Sequence, residues 1–372
     1  MDFTFNDNQR LFRESAARLA QQYGAEDRPQ ALRPLWSLLA AGGFLSLGLP
    51  ESLGGLGDAT DIAVVAEAFG EGLLPAPYTA SALFAGQLLA AMPGVDELLG
   101  NLMTGETLAA VAYLNSPHSG HPVVKASRDG DAYVLEGMKA LVIAAPEADV
   151  FIVSACLDES LGVAPCETLF RVDTAATGLS IIPTPLIDGS TAADVVFNKV
   201  FVTAADCIGE VGSAAESIGA GLRYAILGCC AEMVGLARAA LDATIDYVKS
   251  RKQFGAPLSD LQAVRHKIAD MEINWEMARS ALDKLMASFH DPANHNPELS
   301  LSLAKATIDE NCGQITQQAI QLHGAMGLTE ECEIGRFYAR AAVLQSLYGS
   351  KAAHVEAYVR GLSEKLTQQK TG

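Results

Sequence analysis

Asp260-Leu261-Gln262-Ala263-Val264-Arg265-His266-Lys267-Ile268-Ala269-Asp270-Met271-Glu272-Ile273-Asn274-Trp275 opens the run, continuing to His290, that decides the fold. Leu261, Val264, Ile268, Met271, Trp275, Leu282 and Leu285 recur three, four or seven residues apart. That spacing lays one apolar stripe along a single long helix. Met271 and Trp275 fall on the stripe and are read as core. Glu210 to Ser250, Pro297 to Ala325 and Arg336 to Gln369 carry the same period. Segments of this length suit a four-helix bundle, so residues 209–372 are assigned to a C-terminal helical bundle.

Upstream of the bundle the texture changes. Residues 108–208 hold short β-branched runs split by Gly, Pro, Asp and Asn: 109–113, 133–135, 140–143, 150–153, 169–172, 179–182, 193–197 and 199–202. Many short strands at close, regular spacing predict an antiparallel barrel or sandwich. Residues 1–107 read as helices. Asn6 or Asp7 caps the first, whose Leu11, Phe12 and Leu19 share a face. Leu32 to Ala41 is closed by Gly42-Gly43, and Ile62–Leu74, Ala80–Met92 and Asp96–Met103 follow. The order is helices, β domain, helical bundle.

Composition narrows the function. Of 372 residues, 49% are hydrophobic and 19% charged, the balance of a globular chain rather than a disordered one. The net charge of −18, with no Lys/Arg-rich run, argues against nucleic acid and against anionic membrane surfaces. Two or three local arginines still suffice for a small anionic ligand. Met1-Asp2-Phe3-Thr4 has no basic segment of a targeting signal, and no run of about 18 uncharged apolar residues predicts a spanning helix. The seven cysteines, 156, 166, 207, 229, 230, 312 and 332, lack CxxC or Cys/His ligand spacing. They read as buried thiols in a reducing cytoplasm, with no metal site.

Two segments carry chemistry. Tyr247-Val248-Lys249-Ser250-Arg251-Lys252-Gln253-Phe254-Gly255 is followed by Leu258, Leu261-Gln262 and Ala269-Asp270-Met271; Gln321-Leu322-His323-Gly324-Ala325-Met326-Gly327-Leu328-Thr329 stands near the C-terminus. These resemble the acyl-CoA dehydrogenase patterns Y-x-x-x-R-x-x-F-G…L…Q…ADM and Q-x-x-G-G-x-G-x-T. Gly48-Leu49-Pro50-Glu51 with Gly54-Gly55-Leu56-Gly57 is similar to that family's N-terminal G-x-P-E-x-x-G-G-x-G. The helix–β–helix order agrees, so the resemblance spans the chain. It implies FAD-dependent α,β-dehydrogenation of an acyl-CoA thioester on an oligomer, a dimer or tetramer. In the family the Arg of R-x-x-F-G reaches the FAD pyrophosphate of a neighbouring subunit, where a guanidinium fork suits a dianion. Its Phe packs on the adenosine side, and the glycine turn lets backbone approach the ADP portion. Carried over, the cofactor residues are Arg251, Gln253, Phe254, Leu258, Gln262, Gln321, Gly324 and Gly327.

The chain departs from the pattern where the reaction occurs. The family's catalytic Glu in E-G-T/S aligns with Tyr348 of Leu347-Tyr348-Gly349-Ser350. A minority branch carries its base on the first bundle helix just before an Arg, and Leu222-Arg223 stands there. The family's T-E-P, which hydrogen-bonds flavin and substrate, aligns with Asn115-Ser116-Pro117. Its W-I-T, stacked on the flavin ring, aligns with Leu141-Val142-Ile143. Ala325 replaces the second turn glycine. With an ordinary pKa near 10, Tyr348 is a poor base. The resemblance is therefore to the non-catalytic subunit of heterotetrameric acyl-CoA dehydrogenases acting on steroid side chains. Tyr338, Arg340 and His354 favour that subgroup. An electron-transferring flavoprotein is the implied electron acceptor. The alternatives are a homomeric enzyme with another base, for which Glu331 and Glu333 are poor candidates on a solvated face, and a non-catalytic acyl-CoA or flavin-binding module.

Overall fold

The computed structural model describes residues 5–24, 32–115, 123–157, 167–253, 255–291, 297–329 and 332–371. Its contacts gather the chain into two compact units, one of Met1–Arg28, Ala59–Pro75 and Ile226–Gly372, the other of Pro29–Asp58 and Ala76–Ala225.

The N-terminal helices are α1 (Asp7–Tyr23), α2 (Leu32–Ala41), α3 (Ala59–Glu71), α4 (Ala85–Ala90) and α5 (Asp96–Met103). Asn6 is the cap of α1. Its side chain accepts from Gln9 N at 2.9 Å, and the Gln9 side chain accepts from Asn6 N at 3.0 Å, a reciprocal capping box. The segment expected as one helix from Ala80 to Met92 begins instead as a π-helix, Tyr78–Phe84, and passes into α4.

In the second unit, β1 (Ala109–Ala112), β2 (Lys125–Asp129), β3 (Ala132–Ile143), β4 (Val150–Leu157), β5 (Glu167–Asp173), β6 (Leu179–Pro185), β7 (Thr191–Thr203) and β8 (Cys207–Ile208) form one sheet. Their order is β6-β7-β3-β2-β4-β5-β8, with β1 also on β4. β1 and β2 both pair with β4 in parallel, so the sheet is mixed where an antiparallel arrangement was expected. Two pairs of expected strands prove continuous. β3 runs from Ala132 to Ile143 through irregularities at Leu135/Gly137 and Lys139/Val142, and β7 runs through Lys199 at φ 54°. A left-handed residue or bulge breaks the alternation without ending the strand. β2 escaped the sequence reading because Lys125-Ala126-Ser127-Arg128-Asp129 holds no β-branched residue. Only Ala126 is buried there. Phe151, Val153, Phe170, Val195 and Phe197 are buried together in an apolar core.

The first unit holds α1, α3, the part of α6 (Ala214–Ser250) from Ile226 on, α7 (Gln262–Phe289), α8 (Pro297–His323), α9 (Glu333–Ser346) and α10 (Lys351–Thr371). A short hairpin, β9 (Lys252–Gln253) and β10 (Ala256–Pro257), joins α6 to α7. α3 and α6 pack backbone to backbone: a Cβ on Gly235 would lie 2.0 Å from Glu67 O, and one on Gly70 2.1 Å from Glu232 O. α7 buries Met271, Ala278, Leu282 and Leu285. Leu261, at the head of the expected stripe, is 42% exposed. Trp275 is half-buried; its indole N–H donates to Val234 O at 3.2 Å under the Arg238 guanidinium. The single helix expected from Arg336 to Gln369 is two, broken at Leu347–Ser350, where Tyr348 has φ 60° and Gly349 φ 111°.

α6 is long and apolar enough to cross a membrane by length and composition, but 83% of its most apolar window is buried within the protein, as in a core helix. Cys229, Cys230 and Cys312 are free buried thiols, and burial pushes Cys229 up to about 12. Cys166 lies outside the described residues. Among the described residues no group of three or more His, Cys, Asp or Glu is placed to hold a metal ion.

Candidate functional site

In the first unit, Tyr247 lies in the last turn of α6. Its carbonyl accepts from Arg251 N at 2.8 Å and from Ser250 Oγ at 3.1 Å, which closes the last turn and launches the hairpin. Leu258 N donates to Arg251 O at 2.9 Å, fastening the far side. Arg251, Gln253 and Gln262 are exposed and Leu258 is half-buried. Among the described residues Arg251 makes no ion pair, unlike Arg238, Arg279 and Arg340. Gly255 turns the hairpin at φ 82°, with nothing within 4 Å of where a Cβ would stand. Phe254 lies outside the described residues.

The second motif sits where α8 gives way to a 3₁₀ turn, Gly324–Leu328. Gln321 and Ala325 are exposed. Gly324 has φ 64° and open space where a side chain would stand, so backbone is bared there. Gly327 is buried, and a Cβ on it would meet Ile320 O and His323 Cβ, each at 3.1 Å. His323 is buried and stacks on Tyr247, ring centroids 4.1 Å apart and planes 21° from parallel. His323 Nδ1 donates to Ala319 O at 2.9 Å, because a carbonyl only accepts. Tyr247 OH is directed at His323 O at 3.4 Å. Sequence reading singled out both motifs but missed this stack, since nothing local links residues 76 positions apart.

Tyr348 occupies the break between α9 and α10. Non-glycine residues rarely adopt its left-handed backbone. The break is held from beneath. His354 Nε2 donates to Tyr348 O at 3.1 Å, and Leu344 O accepts from Lys305 Nζ at 3.2 Å and from Cys229 Sγ at 3.4 Å. Lys305 is fully buried and paired with Asp309 at 2.5 Å. Burial raises the Asp309 carboxyl to about 6, against the pull of Lys305. Burial and then Lys305 push His354 below its ordinary value. No carboxylate stands at residue 348, and Leu222-Arg223 on α6 supplies none. Glu333 is exposed, and Glu331 lies outside the described residues. Tyr338 is exposed, and Arg340 is bound to Glu232 at 2.6 Å.

In the second unit, Lys139 of β3 is wholly buried. Its ammonium donates to Tyr113 O at 3.1 Å, Asn115 Oδ1 at 2.8 Å and Ser154 Oγ at 2.9 Å. Burial lowers it to about 8, partly opposed by Glu167 and Cys156. It thus pins the exposed Asn115, the first residue of Asn115-Ser116-Pro117; the other two lie outside the described residues. A lone lysine in the apolar run from Met138 to Ile143 was the available signal for this pin. Leu141 sits at φ 49°, and its N–H donates to Asp194 Oδ1 at 3.1 Å. Val142 is buried and Ile143 half-buried.

The comparisons with known proteins agree on one family. The acyl-CoA dehydrogenase N-terminal domain matches residues 6–93, and the acyl-CoA dehydrogenase C-terminal domain matches residues 216–363. The mitochondrial isovaleryl-CoA dehydrogenase of Solanum tuberosum is 31% identical, covering 90% of this chain and 85% of its own. The FAD complex of PigA superposes with TM-score 0.87 at 26% identity, covering 98% and 99%. The Tcur3481-Tcur3483 steroid ACAD superposes with TM-score 0.83 at 25% identity, covering 97% and 99%.

FAD is the cofactor of this family, and the residues present fit it unequally. Arg251 is, among the described residues, a guanidinium without an ion pair, and Gly255 and Gly324 leave open space over bare backbone, which suits a dianionic pyrophosphate and its flanking sugar. Residues 141–143 offer no hydrogen-bonding side chain to a flavin ring, and the Leu141 N–H is already taken by Asp194. The matched domains and the relative together make this chain a member of the acyl-CoA dehydrogenase family, FAD-dependent oxidoreductases.

Proposed function

We propose that this chain is the subunit without a catalytic carboxylate in a hetero-oligomeric acyl-CoA dehydrogenase, whose partner subunit supplies the base and the flavin-ring contacts. FAD, held here by Arg251 and the Gly324 turn, would supply the hydride acceptor for the β hydrogen of an acyl-CoA thioester, with a base for the α proton. This chain's part is to bind and orient. Arg251 offers a bidentate fork to the pyrophosphate, Gln253 and Gln321 offer amide donors and acceptors beside it, and Gly324 bares backbone to the ADP portion.

One observation supports the reading: Tyr348, which the resemblance aligns with the family's catalytic Glu, is no carboxylate, and its left-handed turn is bonded at the carbonyl by His354. A phenol near pKa 10 is mostly protonated at neutral pH and cannot act as general base at useful efficiency. In a homomer every chain must supply both halves of each site, whereas a chain with only the reaching half needs a different partner. A site count halved in this way leaves volume for a bulky acyl group. The Tcur3481-Tcur3483 steroid ACAD supports a steroid side-chain CoA ester as substrate class and two kinds of chain as the assembly. An electron-transferring flavoprotein is the acceptor in this reading.

The test is production of the chain alone and together with a candidate homologous subunit, with mass and flavin spectrum recorded for each. The reading expects a mixed assembly with about one FAD for every two chains. A yellow assembly of this chain alone, with one FAD per chain, contradicts it.

A further inference from the structure

Arg251 follows α6 and the Gly324 turn follows α8, and one ring pair, Tyr247–His323, 76 residues apart in sequence, joins the two helix ends. We propose that the Tyr247–His323 stack is a positioning device that sets the spacing of the Arg251 hairpin and the Gly324 turn, so that both address a single dinucleotide. This rests on the reading of those segments as FAD-contacting.

The geometry makes each ring part of its own motif. Tyr247 O accepts from Arg251 N and Ser250 Oγ, so any shift of Tyr247 carries the root of the Arg251 loop with it. His323 immediately precedes Gly324, whose left-handed φ of 64° starts the turn. Its Nδ1–H bond to Ala319 O fixes the ring plane. Gly327 packs against His323 Cβ and Ile320 O, so the rest of the turn is folded back on the same histidine. The stack is buried at the histidine and half-buried at the tyrosine, a place where 4.1 Å stacking holds a fixed distance. Neither ring reacts; both act through the donors they hold. Small misplacement of such donors costs affinity without removing any of them.

The experiment titrates FAD into the flavin-stripped full-length chain, in the assembly in which it is purified, by quenching of flavin fluorescence. Tyr247→Leu and His323→Leu remove the stack from opposite sides. Tyr247→Phe and His323→Phe keep two rings. The leucine variants should bind FAD about tenfold more weakly. The double leucine variant should be no weaker than either single one, because the interaction is lost once. The phenylalanine variants should stay within about threefold of the parent, a rescue that follows the ring rather than the hydroxyl or the nitrogens. Melting temperatures without flavin identify a leucine variant that fails to fold, and the one that folds then decides. Additive losses in the double variant, or phenylalanine variants as weak as leucine ones, overturn the positioning role. Arg251→Ala in the same series separates the two claims. If it leaves FAD affinity intact, the cofactor assignment itself fails. If it loses affinity while the stack variants do not, only the positioning role fails.

Discussion

In the proposed reading, the Arg251 hairpin and the Leu141 bulge, one in each unit, correspond to the segments that meet the two ends of the family's cofactor. At the first, side-chain chemistry and backbone agree: an exposed guanidinium, two bare glycines and a carbonyl-capped helix end. At the second, the backbone is unusual but the chemistry is missing, with Leu141 at φ 49° and no donor side chain in 141–143. Tyr348 repeats the second pattern at φ 60°. Left-handed non-glycine residues cost about 1 kcal/mol or more each and persist only where surrounding structure imposes them. Here the imposing structure is visible: Asp194 bonds Leu141 N, and His354 bonds Tyr348 O. At both positions surrounding hydrogen bonds hold an unusual backbone while the side chain offers no carboxylate or amide.

The contrast breaks first at the support under Tyr348. Lys305→Met should cost about 3–5 kcal/mol in urea unfolding, because Asp309 is left as a buried carboxylate without its partner. Asp309 already titrates near 6, so the loss should shrink at pH 5 relative to pH 8, where the carboxyl must stay charged. An equal loss at both would mean that packing alone supports the turn. Next, Arg251→Ala should weaken FAD binding by about 10- to 100-fold, the worth of a charge-assisted pair, with little change in melting temperature because the side chain is exposed.

Lys139 sharpens the second region. Its folded value of about 8 lies below its ordinary 10.5, so the unfolded chain holds more protons between those values. Relative to Lys139→Met, the parent should gain stability as pH rises from 8 toward 10.5 and lose that gain as pH falls through 8. Urea midpoints across that range check it; a flat difference would remove the ammonium from the account of Asn115. The smallest effect is expected at Gly324, where Gly324→Ala meets open space and should cost about 1 kcal/mol from φ alone.

Much of this was legible in the sequence, for reasons that differ by element. α2 and α5 were read to the residue because Gly43, Pro93-Gly94 and Thr104-Gly105 punctuate them. The motif at Tyr247–Gly255 was legible because its residues resemble the acyl-CoA dehydrogenase pattern Y-x-x-x-R-x-x-F-G. The parallel pairing of β1 and β2 with β4 was not, since strand direction is set by connections through space rather than by local pattern. The break at Tyr348 was hidden because Ser346-Leu347-Tyr348 reads as helix continuing, and the bonds that stop it come from Lys305, Cys229 and His354. Lys139 was overlooked because its three acceptors sit on β4 and on the chain beyond β1.

The most direct measurement is the dehydrogenation rate of the isolated chain, loaded with FAD and given an acyl-CoA thioester and a ferricenium acceptor. With a phenol where a carboxylate belongs, the rate should stay at background and should not change in Tyr348→Phe. Turnover at ordinary enzyme speed by this polypeptide alone would contradict the central claim that its proton acceptor comes from another subunit.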